Sequence, residues 1–528
     1  MNQTKSTIGT KTMIVSPHYL SSMAGARILE KGGNAFDAAV AVSACLAVVY
    51  PHMTGVGGDS FWLTWHEGEK SLRAYNGSGR SGYKIHRGLY EEEAEIPTRG
   101  IRSAITVPGM VDSWNAILKE YGRLTLQDVL EPAIEYARRG FPLSPDQYTT
   151  TNQVADVLRA TETTAHIYLT DGSTPSLHKK FIQTDLAATL TTIAIKGRDA
   201  FYKGEIAKEI VSYIQQQNGY LTLDDFADHH GNWTEPISTT YHDYTVYQVP
   251  PNSQGFSALE TLNILENFDF EQIEQDSYEY YHILIEALKK AFKDRNTYLT
   301  DPDFYQAPFE RLLSKTYAKR LAADIHMKKA HNFSTVPLGQ DTAYAAVVDE
   351  EGNAVSFIQS LYFEYGSGVV AGSTGVLLQN RGSFFSLDPN HVNTLEPHKR
   401  TFHTLMPAMA FLNEKPRIIY GTQGGEGQPQ TQTLMFTRMA HYGMNPQQAV
   451  SAPRFVWGRT WGQKSEALKI ENRIPQQVYK TLINAGHNVQ IVQPFDGVMG
   501  HAHAILINDD GFRCGGTDPR CDGAAIGW

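Results

Sequence analysis

Apolar positions recur along this chain in two periods, and the period changes near residue 341. Tyr19–Lys31 carries Met23, Ala26, Ile28 and Leu29 at helical spacing and stops at Gly32-Gly33, a usual helix C-terminal signal. Asn34 then reads as the cap of a second helix, with Asp37 three positions on near its positive end. That helix, Ala35–Tyr50, is apolar nearly all round, so it is expected to be buried, and Pro51 ends it. Met53–Trp65 reads as a glycine turn (Gly55, Gly57, Gly58) leading into a strand, Ser60–Trp65. From Ser113 to Asp324 the chain reads as mostly helical, with the 3.6-residue pattern in Val111–Tyr121, Leu126–Arg139, Thr184–Lys196 and Tyr278–Phe292. The pattern disappears in the polar stretch Asp324–Gln340, which is expected to be a flexible or exposed connection.

After Asp341 the period becomes two. Thr342–Asp349 and Asn353–Ser360 flank Glu350-Glu351-Gly352, a three-residue hairpin loop with Gly where a left-handed conformation is needed. Strands follow at Met409–Leu412 and Arg417–Gly421, then a helix, Pro429–His441, with Gly443 beyond its end. There are no internal repeats or low-complexity segments.

Composition narrows the class. Of 528 residues, 41% are apolar and 19% charged, which is a globular balance. A net charge of -10 argues against nucleic acid or an anionic membrane as an unaided partner. The longest apolar run, Ala38–Tyr50, is too short to span a bilayer, and Met1–Lys11 lacks the apolar core of a secretory signal. The 3 cysteines, Cys45, Cys514 and Cys521, cannot form a disulfide scaffold and suit a reducing compartment. A soluble cytoplasmic enzyme is the expectation.

Two features carry chemistry. Pairing Asp349 with Asn353 across the hairpin places Thr342 opposite Ser360, within the one-residue slip that a bulge allows. Taken alone, two facing hydroxyls are a common pair on a solvated strand. The turn Gly421-Thr422-Gln423-Gly424-Gly425 sits between a strand and a helix, where backbone amides can hold negative charge. It lacks the Lys and Ser/Thr of a nucleotide loop, whereas an oxyanion hole needs only the amides. Asp224, Asp225, Asp228, His229 and His230 suggest a metal site at first sight, but Thr222 with Asp225 is a helix cap. His501 and His503 alternate on a strand, Gly500–Asn508, without a third ligand.

Ordered motifs over the whole chain resemble the gamma-glutamyltransferase family. They are Gly32-Gly33-Asn34-Ala35-Phe36-Asp37-Ala38-Ala39-Val40-Ala41, Thr54-Gly55-Val56-Gly57-Gly58-Asp59, Thr106-Val107-Pro108-Gly109, and Asp341-Thr342 through Asp349. Gly352-Asn353-Ala354-Val355, Gly366-Ser367-Gly368, Gly424-Gly425, Ala452-Pro453-Arg454-Phe455 and Asp518-Pro519-Arg520 complete the series. The resemblance implies an α+β fold of the N-terminal nucleophile hydrolase type, a four-layer αββα sandwich, with a helical portion from the N-terminal fragment. It implies a precursor that cuts itself between Asp341 and Thr342 into fragments 1–341 and 342–528, both within one intertwined fold. The freed α-amine of Thr342 then serves as base to its own hydroxyl, so no His–Asp pair is needed. Ser360 occupies the position of a family Thr that bonds the nucleophile, and the Gly424 and Gly425 amides would hold the oxyanion. No metal or organic cofactor is implied. The partners expected are a small-molecule amide substrate and the chain's own two fragments, with a homo-oligomer left open.

The acyl pocket departs from the family pattern. The Arg that holds the glutamyl carboxylate in well-known members has only Arg80 as a shifted counterpart, in Tyr75–Arg80. A serine pair is replaced by His403-Thr404, an Asn by Tyr362, and a Gln and an Asp by Arg381 and Phe384. Phe384 removes the counter-charge for an ammonium, and Arg381 adds positive charge, favouring carboxylate-rich substrates. The connection Leu387–His398 is too short for the lid of some relatives, so the pocket is expected to be open and hydrolysis to outrun transfer. The leading expectation is a self-activating hydrolase of gamma-glutamyl compounds or related amides. The alternatives are a glutaryl or cephalosporin-type acylase and an uncleaved binding or scaffolding relative.

Overall fold

The computed structural model describes residues 5–332, 341–458 and 465–528. Two seven-stranded sheets lie face to face. The first runs Thr7–Gly9, Arg513–Thr517, Ala502–Ile507, Lys415–Thr422, Ala408–Leu412, Tyr244–Gln248, Ile237–Tyr241. The second runs Ala524–Ile526, Met13–Ser16, Asp341–Val348, Ala354–Tyr362, Asp59–His66, Ser71–Gly77, Asn232–Thr234. Neighbours in both sheets are antiparallel.

Alternation along single strands explains the layers. In Asp341–Val348, Tyr344, Ala346 and Val348 join the inter-sheet core with Met409, Ile419 and Ile505. Ala343, Ala345 and Val347 face the other way, onto a helical layer that contains the helix Ala35–Val49. Such a strand is buried on both faces and therefore reads as a nearly continuous apolar run. On the far side, the helices Gly255–Leu265, Tyr278–Tyr298 and Gly427–Tyr442 pack on the first sheet. The result is the four-layer αββα sandwich of the α+β class.

Local signals place the helices. Asn34 and Asp37 form the reciprocal cap of Ala35–Val49, all 15 residues of which are buried. The helices Leu126–Arg139 and Thr184–Lys196 have the bounds that their periodicity predicts. Tyr278–Tyr298 runs past the predicted stop at Phe292. The region expected to be mostly helical also contributes strands to the two large sheets, Asn232–Thr234, Ile237–Tyr241 and Tyr244–Gln248, because sheet neighbours supply their hydrogen bonds. Of the expected connection Asp324–Gln340, residues 333–340 lie outside the described residues. The described part is mostly exposed, as expected, and is anchored at two points: His331 Nδ1 lies 2.7 Å from Glu286 Oε2 and Ala330 N–H donates to the Ala485 carbonyl at 2.7 Å.

The chain ends meet in the sheets. Ala524–Ile526 pairs with Ile14–Ser16, and the Trp528 carbonyl accepts from the N–H groups of Lys11 (2.7 Å) and Thr12 (3.2 Å). Among the described residues no helix is long and apolar enough to cross a membrane.

Candidate active site

The hairpin keeps one register from Val348↔Ala354 to Ala343↔Gln359, and then Asp341 pairs with Tyr362. Ser360 and Leu361 thus oppose Thr342 alone, a bulge at the open end of the hairpin. The bulge forces Tyr362 to φ 90°, a strained value for a residue with a side chain, and the Tyr362 N–H donates to Ser360 Oγ at 2.8 Å. Thr342 is fully buried, and Gln428 Nε2 lies 3.5 Å from its Oγ.

Gln428 belongs to the helix Gly427–Tyr442, which follows the strand Lys415–Thr422 through the turn Gln423–Glu426. Gly424 and Gly425 take φ 131° and 51°, open only to glycine without strain. Among the described residues neither of their amides has an acceptor. The turn is clamped from below. Gln254 Nε2 donates to the Gly425 carbonyl (3.0 Å) and the Thr404 carbonyl (2.8 Å). Arg295 donates to Gln254 Oε1 at 3.0 Å and to Glu426 Oε1 at 2.9 Å, and both members of that ion pair are fully buried. On the other flank, Gln423 N–H donates to the His501 carbonyl (2.8 Å) and Gln423 Oε1 accepts from His501 N–H (3.1 Å).

The opposite wall is built on Arg381, in the short helix Arg381–Phe384. Its Nη2 donates to Ser360 Oγ (3.1 Å) and its Nη1 to Thr404 Oγ1 (3.4 Å). The guanidinium carbon stands 4.5 Å from the Tyr362 ring centroid and 5.4 Å from that of Phe384, and those two rings stack at 4.3 Å. Arg381 is 1% exposed, Nε has no acceptor, and among the described residues no carboxylate lies within ion-pair distance. Burial lowers its pKa to about 10, while Tyr362 and Asp59 oppose the shift, so the group is charged at neutral pH.

Asp59 lies behind this wall, fully buried. Its Oδ1 accepts from Gly109 N–H (3.1 Å), Gly79 N–H (3.2 Å) and Gln379 Nε2 (3.0 Å). Its Oδ2 is 3.3 Å from His403 Nε2. Burial raises the Asp59 pKa to about 6 against the pull of Arg381.

Arg80 is engaged by Asp301 (2.9 Å) and Asp303 (2.7 Å), so its charge is already matched. His403 turns its ring to Asp59, and Thr404 alone of that pair touches Arg381. In the uncut chain Thr342, Ser360, Arg381, His403 and Thr404 are at most 1% exposed. The short connection Leu387–His398 folds back on the site, with the Asn393 side chain donating to the Phe384 carbonyl at 2.9 Å. Thr222 and Asp225 form the expected reciprocal helix cap. Among the described residues no group of three or more His, Cys, Asp and Glu side chains is placed to hold a metal ion.

Sequence reasoning did not single out Asp59, Gln428, Gln254, Arg295 or Glu426 as site residues. Asp59 carried a signal, an acid directly after Gly57-Gly58. The other four carried none.

The sequence model of the gamma-glutamyltranspeptidase family matches residues 21–528. The chain is 62% identical over 523 residues to the glutathione hydrolase-like YwrD proenzyme of Bacillus subtilis, covering 99% of each. It is 38% identical over 528 residues to the oxamate amidohydrolase proenzyme of Klebsiella pneumoniae, again covering 99% of each. The crystal structure of cephalosporin acylase from Bacillus halodurans superposes with a TM-score of 0.93 at 35% identity, covering 100% of this chain and 98% of that one.

Proposed function

We propose, from the premise that this chain belongs to the gamma-glutamyltranspeptidase family, that Thr342 is both its processing residue and its nucleophile, and that Arg381 anchors the acyl group. As a member of that family it is an enzyme, an autoprocessed amide hydrolase on the N-terminal nucleophile hydrolase fold. The observation that carries the assignment is the reach of Gln428 to Thr342 Oγ, 3.5 Å, which sets the glycine turn beside that hydroxyl.

In processing, Thr342 Oγ attacks the Asp341 carbonyl carbon, the Asp341–Thr342 C–N bond breaks, and an ester forms. Water cleaves that ester, leaving a carboxylate on fragment 1–341 and a free α-amine on fragment 342–528. In turnover, that amine takes the Oγ proton as Oγ attacks the substrate amide. The Gly424 and Gly425 amides hold the oxyanion, and the proton passes to the departing amine. Water then releases the acid. Ser360, which opposes Thr342 across the bulge and accepts from Arg381, would bond the nucleophile on its other side.

A buried cation with no carboxylate within ion-pair distance among the described residues calls for an anionic acyl group. Glutamyl, glutaryl and oxamate all carry one, and the amidohydrolase of Klebsiella pneumoniae is named for the last. Phe384, stacked on Tyr362, offers no charge to an α-ammonium, which favours a glutaryl-type or oxamate-type amide over a gamma-glutamyl one. Arg80, already paired, is not the anchor. The cytoplasm remains the proposed compartment, in keeping with three unpaired cysteines, and assaying extract against culture medium checks it.

Intact mass is the test. Wild type should yield fragments of about 38 and about 21 kDa, and Thr342→Ala should stay at 58.8 kDa. Wild type that stays whole under all conditions would sink the mechanism. Gamma-glutamyl anilide, glutaryl anilide and oxamate then rank the acyl groups, and fastest turnover of the amine-bearing substrate counts against the role given to Phe384.

A further inference from the structure

We propose that Asp59 is the resident counter-charge of Arg381 and sets how tightly the acyl pocket holds a carboxylate, an inference that rests on the Arg381 reading above. Asp59 and Ser360 are direct partners across neighbouring strands, so their side chains stand on one face, with Cβ atoms about 4.5–5.5 Å apart. Arg381 Nη2 binds the same Ser360 hydroxyl at 3.1 Å. Asp59 as strand partner and Arg381 as hydrogen-bond donor therefore meet at the same residue without forming an ion pair, and the nucleophile strand runs along the other edge of the Ser360 strand.

Asp59 also ties together the two segments that shape the wall. Gln379, which donates to it at 3.0 Å, lies two residues before Arg381. His403, at 3.3 Å, lies one residue before Thr404, the other hydroxyl on the guanidinium. The His403 ring cannot add charge there. Its Nδ1 accepts from the Leu405 N–H at 3.5 Å, which leaves the proton on Nε2 facing Asp59, and burial with the nearby Arg381 holds the ring neutral. Among the described residues, the other ionisable groups that act on Asp59 are Arg381, Arg400 and Tyr202.

An incoming carboxylate is thus drawn by Arg381 and repelled by Asp59. Protonating Asp59 removes the repulsion and leaves the attraction. Its pKa, raised to about 6, puts that event within reach of ordinary buffers. A simple carboxylate ligand, with a pKa near 4, stays ionised above about pH 5. The sign follows: carboxylate affinity rises as pH falls through about 6, while the affinity of a neutral isostere does not. An aspartate that served only as a structural tie would leave that contrast unmoved.

The test is calorimetric titration of the processed enzyme with the monocarboxylate 5-oxohexanoate and with its uncharged isostere heptane-2,6-dione, at pH 7.5 and 5.5. Wild type should favour the carboxylate by a ratio that grows ~10-fold at the lower pH. Asp59→Asn should show the larger ratio already at pH 7.5, with the pH dependence gone. A ratio flat with pH in wild type overturns the proposal, and so does a lowered ratio in Asp59→Asn. If that variant does not fold, the wild-type profile decides alone. Arg381→Met separates the two readings. A ratio near one at both pH values upholds the Arg381 pocket whatever Asp59 does, whereas an unchanged ratio overturns the pocket and this inference with it.

Discussion

The two sides of Thr342 are built from different materials. On one side lies the turn Gln423–Glu426, proposed to act through backbone amides, with glycine conformations and the buried Arg295–Glu426 pair fixing its shape. On the other lies a wall of side chains, Arg381, Tyr362, Phe384 and Thr404, brought in by three segments and joined through Ser360 and Asp59. Backbone amides serve any acyl group, because every amide develops the same oxyanion. Side chains on a wall can be exchanged without touching that chemistry. The same catalytic half can therefore sit beside different acyl halves, which fits a chain that resembles glutathione hydrolases, an oxamate amidohydrolase and a cephalosporin acylase alike.

That division can be broken experimentally. The largest expected effect is Glu426→Gln, which leaves Arg295 buried without its counter-charge and should cost about 3–5 kcal/mol in denaturant melts. Rates on all acyl groups should fall together in the same variant. Next, Gly424→Ala, at φ 131°, should tilt the amide away from the oxyanion and lower kcat by ~10²–10³ on charged and neutral acyl groups equally. A drop confined to carboxylate substrates would show that the turn also reads the acyl group. Smallest is Tyr362→Leu, which removes the ring beneath Arg381 and should weaken carboxylate substrates by about 1 kcal/mol in kcat/KM, leaving neutral ones alone. Equal losses on both would place Tyr362 with the catalytic half.

The catalytic half was the more legible in sequence, for a physical reason. Hairpin register follows from a short loop and strict alternation, so Glu350-Glu351-Gly352 alone puts Thr342 beside Ser360. The glycine turn announces itself between a strand and a helix. The acyl half depends on contacts such as Asp59 with His403, 344 residues apart, and local pattern carries no trace of these. Arg80 illustrates the limit. It stood nearest the expected position, but Asp301 and Asp303, more than 200 residues on, take its charge. The strands Asn232–Thr234 and Ile237–Tyr241 escaped notice for a like reason. At three and five residues they show little alternation, and their stability comes from partners elsewhere in the sheets.

One feature of the sheets bears on the lifetime of the protein. In the second sheet, Met13–Ser16 is sewn between Ala524–Ile526 and Asp341–Val348, and in the first, Thr7–Gly9 closes an edge formed by Arg513–Thr517. A cut before Thr342 would sever the chain while leaving every one of these seams intact. The intact precursor then acts as the loom on which the fabric is woven, since only there does one connected chain bring the strands together. Once cut, a molecule that comes apart has two strangers to re-weave, at the concentration of a bimolecular encounter. Mature protein should persist for as long as its unfolding barrier holds, and ageing, rather than reversible melting, should set its working life.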